Sequence, residues 1–276
     1  MAERAAAADA ALDAERRWVL ALGGFALELP GATLVTHEKI PAPRFNFVVV
    51  RRIAPERQTS FFEHALDHYF QRALRPTFRV PRPVPTHLAA GLARFGFRRR
   101  AERLAVLVER PRARGAAPEF SVRPARDDEI ESVASFWSVE KERPELRTAL
   151  DIAVHHPNPD EALVPVVAES GGRIVAAALV YRHGRAAGIH LVSTRADARG
   201  RGAASALVGY VRRTDPAGRP ARYAMFADSL RLRRRLLRLG FAVAREYAEF
   251  ALPADAELSL PPPGPPGPPR WRPPRR

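Results

Sequence analysis

The chain has 276 residues, no cysteine and a formal net charge of +15, a length that suits roughly two ordinary domains. The lack of cysteine excludes a disulfide scaffold, a thiolate zinc site and a cysteine nucleophile. The charge invites a polyanionic partner, but lysine occurs only at Lys39 and Lys141 among many arginines, beside abundant Ala, Pro and Gly. That pattern fits a GC-rich bacterial genome, so nucleic acid is not the expected partner. The opening residues carry acids, and no run of about 18 apolar residues occurs, so a soluble, cytoplasmic protein is expected.

Residues 1–19 are rich in Ala and Arg and suit a helical segment. Strand-like runs follow at Ala32–Thr36 and Phe45–Val50. Ser60–Leu74 predicts an amphipathic helix, capped by Thr59 or Ser60, with Phe62, Leu66, Tyr69 and Phe70 on one face. His64 and His68 stand four apart on it; with no third ligand nearby they read as an exposed helix face, and no metal is expected. Next come a strand at Phe78–Val80, a helix at Thr86–Arg94 ending at Gly96, and a strand at Leu104–Val108.

The run from 91 to 110, GLARFGFRRRAERLAVLVER, is matched in pattern by RLLRLGFAVAREYAEFAL from 235 to 252. Both read helix, short loop, Gly-Phe, strand, with the glycine closing the helix in a left-handed conformation. This internal repeat divides the chain into a segment 1–19, a first domain 20–111, a linker over 111–118, a second domain 119–252 and an extended tail 253–276. Trp271, among the arginines of that tail, reads as solvated.

The second domain opens with a strand at Phe120–Arg123 and a helix at Asp127–Trp137, buried through Ile130, Val133, Ala134 and Trp137. A helix over 144–155, with Pro144 at its first position, comes next. A hairpin of Val164–Glu169 and Ile174–Tyr181 and a strand at Ala186–Thr194 follow. The order closes with a strand at Ala221–Ala227, a helix at Ser229–Leu239 with Leu232, Leu236 and Leu239 inward, and a strand at Val243–Leu252.

The chemistry points to 192–207, VSTRADARGRGAASAL. A strand delivers Val192, Ser193 and Thr194 to a polar turn; then come Arg199, Gly200, Arg201, Gly202, Ala203 and Ala204, and a helix. Gly200 and Gly202 allow close backbone approach, and the first free N–H groups of the helix suit a phosphate or pyrophosphate. No lysine makes this a GxxxxGK[ST] loop, and Ser205 stands where GxGxxG needs its third glycine.

The spacing Arg199-x-x-Gly202-x-Ala204 resembles the acyl-CoA pyrophosphate loop of the GNAT acetyltransferase family. Two further signals agree in order: Val-Arg-Pro-Ala-x-x-Asp from Val122 to Asp128, and Leu239-Gly240-Phe241 closing a helix. The resemblance spans Phe120–Leu252. It implies an α/β (α+β) GNAT fold, a mixed and mostly antiparallel splayed sheet flanked by helices, in two tandem copies. The first copy lacks the loop and reads as degenerate.

The same resemblance implies acetyl-CoA as co-substrate and an amine as acceptor. Val192, Ser193 and Thr194 would then hold the pantetheine arm, and Arg199, Gly200, Arg201, Gly202, Ala203 and Ala204 the pyrophosphate. The family's usual tyrosine, four residues before the Leu-Gly-Phe glycine, is Leu236 here, which also reads as a core leucine. Tyr223, Tyr247 or water remain for the acid. By alternation His190 faces the side of Val192, opposite Ile189 and Leu191, and is a candidate base; a structural histidine fits equally. Glu140 and Glu142 sit where the family binds acceptors, or belong to a solvated loop. The expected function is an acyl-CoA-dependent N-acyltransferase, with a non-catalytic acyl-CoA-binding or regulatory protein as alternative. The acceptor and the oligomeric state are not legible.

Overall fold

The computed structural model describes residues 13, 15–109, 120–141, 147, 161–183, 186–213, 222–227, 230–253 and 256. The expected linker, Glu142, nearly all of 144–155, and the tail with Trp271 lie outside the described residues. In chain order the elements are α1 (residues 15–21), β1 (Phe25–Leu29), β2 (Ala32–Thr36), β3 (Phe47–Val50), α2 (Gln58–Phe70), β4 (Thr77–Pro81), α3 (Thr86–Arg94) and β5 (Arg98–Glu109). Then come β6 (Ser121–Pro124), α4 (Ile130–Lys141), β7 (Glu161–Ser170), β8 (Arg173–His183), β9 (Ala186–Thr194), α5 (Ala203–Arg213), β10 (Arg222–Ala227), α6 (Leu230–Arg238) and β11 (Phe241–Ala251).

The chain forms two compact units, neither of them continuous in sequence. A loop unit takes Met1–Gly23 and Leu104–Glu246; a companion unit takes Gly24–Arg103 and Tyr247–Arg276. The sequence division at 111–118 is therefore not where the compact units part. The cause is strand pairing. Ala105–Val108 of β5 pair antiparallel with β10, whereas Tyr247–Ala251 of β11 pair antiparallel with β4. Each of the two Gly-Phe strands thus ends in the unit that the other half of the chain begins. Gly96 and Gly240, which close the preceding helices, have φ of +81° and +89°, as left-handed caps require.

In the loop unit the strand order is β5-β10-β9-β8-β7-β6. All neighbours are antiparallel except β9 and β10, which run parallel. One apolar cluster joins this sheet to α5 and α6, through Val180, Ile189, Leu207, Val211, Leu236 and Phe241 among others. The opening motif has a structural role: Arg123 donates to both oxygens of Glu129 at 2.7 Å and also bonds Glu169. That ties β6 to the turn Asp127–Glu129 and to β7, and Arg123 holds the Glu129 carboxyl down to about 2.

The companion unit has the order β1-β2-β3-β4-β11, with β3 and β4 parallel and the other pairs antiparallel. Its core is aromatic, with Phe61, Phe62, Phe78 and Phe97 in edge or tilted contact. Helix α2 starts at Gln58, with Arg57 as N-cap and no side-chain cap bond. The expected Thr59 or Ser60 cap therefore lies inside the helix, because the turn Pro55–Arg57 already sets the backbone entry. Strand β1 was not legible: Phe25–Leu29 pairs with β2 across a two-residue turn, with only Leu29 fully buried. His64 is exposed, as expected, but His68 is half-buried, and its Nε2 shares a 2.9 Å hydrogen bond with Thr36 Oγ1. Among the described residues no group of three or more His, Asp or Glu gathers as a metal site, and no helix is long and apolar enough to cross a membrane.

Candidate functional site

The site begins where two parallel strands part. Among the described residues, strands β9 and β10 pair at Ala186, Ala187 and Gly188, opposite Arg222, Tyr223 and Ala224. From Ala224 onward β10 pairs with β5, while β9 continues to Thr194 against β8. The β9–β10 ladder therefore ends at Gly188, and a wedge opens between the carboxyl half of β9 and β10. A crevice at the carboxyl ends of parallel strands is where open α/β sheets place ligands.

Within that half, β9 carries a bulge. His190 pairs with Leu179 and Ser193 with Ala177, so Leu191 and Val192 together face Ala178. Leu191 has φ of +52°, a conformation that costs a non-glycine residue roughly 1 kcal/mol or more. Ser193 Oγ donates to the Leu191 carbonyl at 3.3 Å. The extra residue corrects the alternation expected from sequence. Ile189 and Val192 pack against the same apolar cluster, and His190 shares its face with Gly188, whose missing Cβ would lie 2.2 Å from His190 Nε2. A bulge re-aims side chains in just this way.

Beyond Thr194 the chain makes a short turn over Ala196–Ala198. The Arg195 N–H donates to the Val175 carbonyl at 2.9 Å, and Arg199 Nε donates to the Thr194 carbonyl at 3.1 Å; both anchor the loop to strand ends. Gly200 and Gly202 have φ of +87° and +102°, and an added Cβ at either meets nothing within 4 Å. Their requirement is thus backbone conformation, and the space before them is open. Gly202 accepts the first helical bond, from the Ala206 N–H at 2.9 Å. The N–H groups of Ala203, Ala204 and Ser205 therefore form the first turn of α5, where a helix has donors without intrahelical partners and the positive end of its dipole. Arg201 reaches over the Phe120 ring, 5.7 Å from its centroid.

The proposed catalytic residues are distributed differently from one another. His190 is 1 % exposed. Trp18 of α1 stacks on it with centroids 4.4 Å apart and planes inclined by 13°, and Glu15 Oε2 lies 3.8 Å from its Nδ1. Trp18 and Glu15 are themselves buried. Sequence reasoning misses both, since the Ala-rich N-terminal helix does not mark its packing face. Leu236 is buried in the apolar cluster, as a core leucine would be. Tyr223 stands on β10 opposite Ala187, at the start of the wedge. Tyr247 is buried in the companion unit and pairs with Pro81. Glu140 lies in the last turn of α4.

Residues 90–226 match the family model described as an acetyltransferase (GNAT) domain. The matched span includes β5, the wedge, the bulge and the loop. No curated protein matches the chain. Among solved structures, a GCN5-related N-acetyltransferase from Kribbella flavida is similar with a TM-score of 0.65 at 16 % identity, covering 89 % of this chain and 96 % of that one. A functionally unknown conserved protein from Staphylococcus epidermidis has a TM-score of 0.65 at 12 % identity, covering 84 % and 94 %. A tandem GNAT protein from the clavulanic acid biosynthesis pathway has a TM-score of 0.53 at 15 % identity, covering 80 % and 77 %. At these identities the likeness is one of fold.

Proposed function

The chain belongs to the GNAT acetyltransferases, and from that premise we propose that it is an acyl-CoA-dependent N-acyltransferase, acetyl-CoA being its simplest donor. The observation that carries this reading is the conjunction of an open, doubly left-handed glycine loop at a helix start with a strand that bulges as its parallel neighbour departs. The loop suits a pyrophosphate: Arg199, Gly200, Arg201, Gly202, Ala203 and Ala204 would offer N–H groups, and the basic side chains a favourable field. Val192, Ser193 and Thr194 would offer strand-edge groups to the pantetheine arm, in the manner of an added strand. The companion unit, with its own parallel pair around α2, is read as the second, degenerate copy.

Bound acetyl-CoA would supply the thioester carbonyl. This chain's part is to hold it, to polarise it with a backbone N–H such as that of Val192, and to bring the acceptor amine to it. The attacking amine must be neutral and loses a proton on forming the amide. We assign that proton to water, because Trp18 and Gly188 cover His190, and give His190 the task of holding the bulge. The departing thiolate is likewise left to water, with Tyr223, on β10 opposite Ala187, as the alternative donor.

A second reading is favoured by one residue. With Leu236 buried where the family usually keeps a phenol, a non-catalytic acyl-CoA-binding protein would keep the same loop and the same fold. Thiol release from acetyl-CoA, measured over a panel of small amines, peptides and aminoglycosides, decides between the two. Release with any acceptor supports the enzyme; binding without release over the whole panel supports the sensor.

A further inference from the structure

The companion unit holds a cavity of about 580 Å³ that the reading above does not use. It sits at the carboxyl ends of β3 and β4, the parallel pair of that unit, lined by Val50 and Val80 from the two strands and by Ile53 and Leu88. This is the position at which parallel strands offer a ligand crevice, and the volume is that of a small-molecule site. His87 secures the wall through a 3.1 Å hydrogen bond between its Nε2 and the Ile53 carbonyl.

The connection from β3 to α2 reads RRIAPER and has no glycine. Pro55 occupies the first positions of its turn, and Arg57, the N-cap of α2, is itself helical. A backbone phosphate cradle like that of the loop unit is therefore not formed here, and the charge comes from side chains. Arg51 is already engaged, donating to Glu28 Oε2 at 2.7 Å and to Thr33 Oγ1 at 2.9 Å. Arg52 and Glu56 both line the cavity and are exposed. Among the described residues their side chains make no hydrogen bond or ion pair, not even with each other.

One cation and one anion, neither paired among the described residues, on the rim of an apolar floor are complementary to a zwitterion with an apolar body. We propose that this cavity binds an apolar α-amino acid, its carboxylate at Arg52, its ammonium at Glu56 and its side chain against the accessible rings of Pro55, Pro81, Pro83 and Pro85, which cover the buried Val50, Ile53, Val80 and Leu88. Charged hydrogen bonds at both ends would fix the orientation, and the floor would select size and hydrophobicity.

Calorimetric titration of the full chain tests this, with L-leucine, L-phenylalanine, leucinamide, N-acetyl-leucine and glycine as probes. Leucine and phenylalanine should bind once per chain. Leucinamide, N-acetyl-leucine and glycine should each bind about tenfold more weakly or worse, for loss of one ionic contact or of the apolar body. Arg52→Gln should weaken leucine while no longer separating it from leucinamide; Glu56→Gln should do the same for N-acetyl-leucine. Both positions are exposed, so melting temperatures should match the parent. The site stands apart from the acyl-CoA reading, because acetyl-CoA affinity should be unchanged in both variants. No binding by leucine or phenylalanine, equal binding by parent and variants, or loss of leucine binding in Gly202→Glu but not in Arg52→Gln would overturn it.

Discussion

Trp18 lies flat on His190, the two rings 4.4 Å apart and inclined by 13°. Residues separated by most of the chain thus meet within the loop unit, directly beside the Leu191–Val192 bulge. The stack gives the N-terminal helix a function in the site, since it fills the face of β9 opposite the α5 cluster and holds His190 over Gly188. Replacing Trp18 with Ala should cost about 3–5 kcal/mol of stability, the range for removing a buried aromatic. Trp18→Phe should recover most of it. If His190 holds the bulge and does not take the amine's proton, Trp18→Ala will lower turnover at every pH without moving the pH–rate profile. A profile that shifts when the ring is uncovered would return His190 to the role of base.

The loop is tested at Gly202. Its φ of +102° strains any L side chain, yet a Cβ there meets open space. Gly202→Ala should therefore fold, cost about 1 kcal/mol or somewhat more in the loop, and weaken acyl-CoA binding several-fold. Gly202→Glu adds a carboxylate where the pyrophosphate would lie, and should abolish binding while the melting temperature stays near that of the Ala variant. Calorimetry with CoA distinguishes the two. Equal affinity in all three proteins would remove the loop from the cofactor site.

Stoichiometry follows from the contrast between the units. The β9–α5 connection has Gly200 and Gly202 in left-handed conformations, whereas RRIAPER has neither glycine nor a free first turn. One CoA per chain is expected from titration against a known protein concentration. A ratio of two would show that side chains alone can replace the glycine cradle.

The distribution of success between sequence and structure has physical causes. The loop was legible because glycines at a strand-to-helix turn constrain backbone conformation locally, and Gly96 and Gly240 were legible as helix closures for the same reason. The bulge was not. Strict alternation put His190 on the face of Val192, and a single residue in a left-handed conformation at Leu191 reversed it. Nothing local marks a leucine for that conformation; the pairing of β8 sets it. The units were also illegible as sets of residues, since the partners of Ala105 and Tyr247 are chosen by sheet pairing across long stretches of sequence. Trp18 was hidden because an Ala-rich helix gives little sign of which face will pack.

A pH test falls on His68. Burial, with further contributions from Arg72 and His64 against the opposing Glu38 and Asp67, lowers its pKa from 6.5 to about 4. In the unfolded chain the ring regains the ordinary value. Between pH 6.5 and 4 the unfolded state therefore binds more protons than the folded one, and stability falls as pH is lowered through that window. The ring is partly exposed, so solvent screening keeps the effect modest. Thermal melts from pH 7 to 4 should show a smaller decline for His68→Gln than for the parent, after both are referenced to pH 7. Parallel curves would show that His68 titrates normally.

Leu236 carries the last test, which separates enzyme from binding protein. It is 2 % exposed and packs with Leu207, Val211 and Phe241 in the core of the loop unit. A departing thiolate has a conjugate-acid pKa of about 8.5, so it is a modest base that water can protonate. General-acid help typically contributes about 10² to 10⁴ in rate, and its absence slows transfer while leaving positioning and carbonyl polarisation in place. Slow but measurable acyl transfer is therefore expected from the natural protein. Leu236→Tyr should raise kcat with little change in the KM for acetyl-CoA, provided the hydroxyl reaches the wedge, and its larger ring should cost about 1–3 kcal/mol by overpacking the core. Melting temperature is measured beside rate, and Leu236→Phe, which overpacks without a hydroxyl, serves as the control. A rise in kcat for Tyr but not Phe assigns the gain to the proton. If the natural protein binds acetyl-CoA, stays folded and releases no thiol with any acceptor, and Leu236→Tyr does the same, the sensor reading replaces the enzyme.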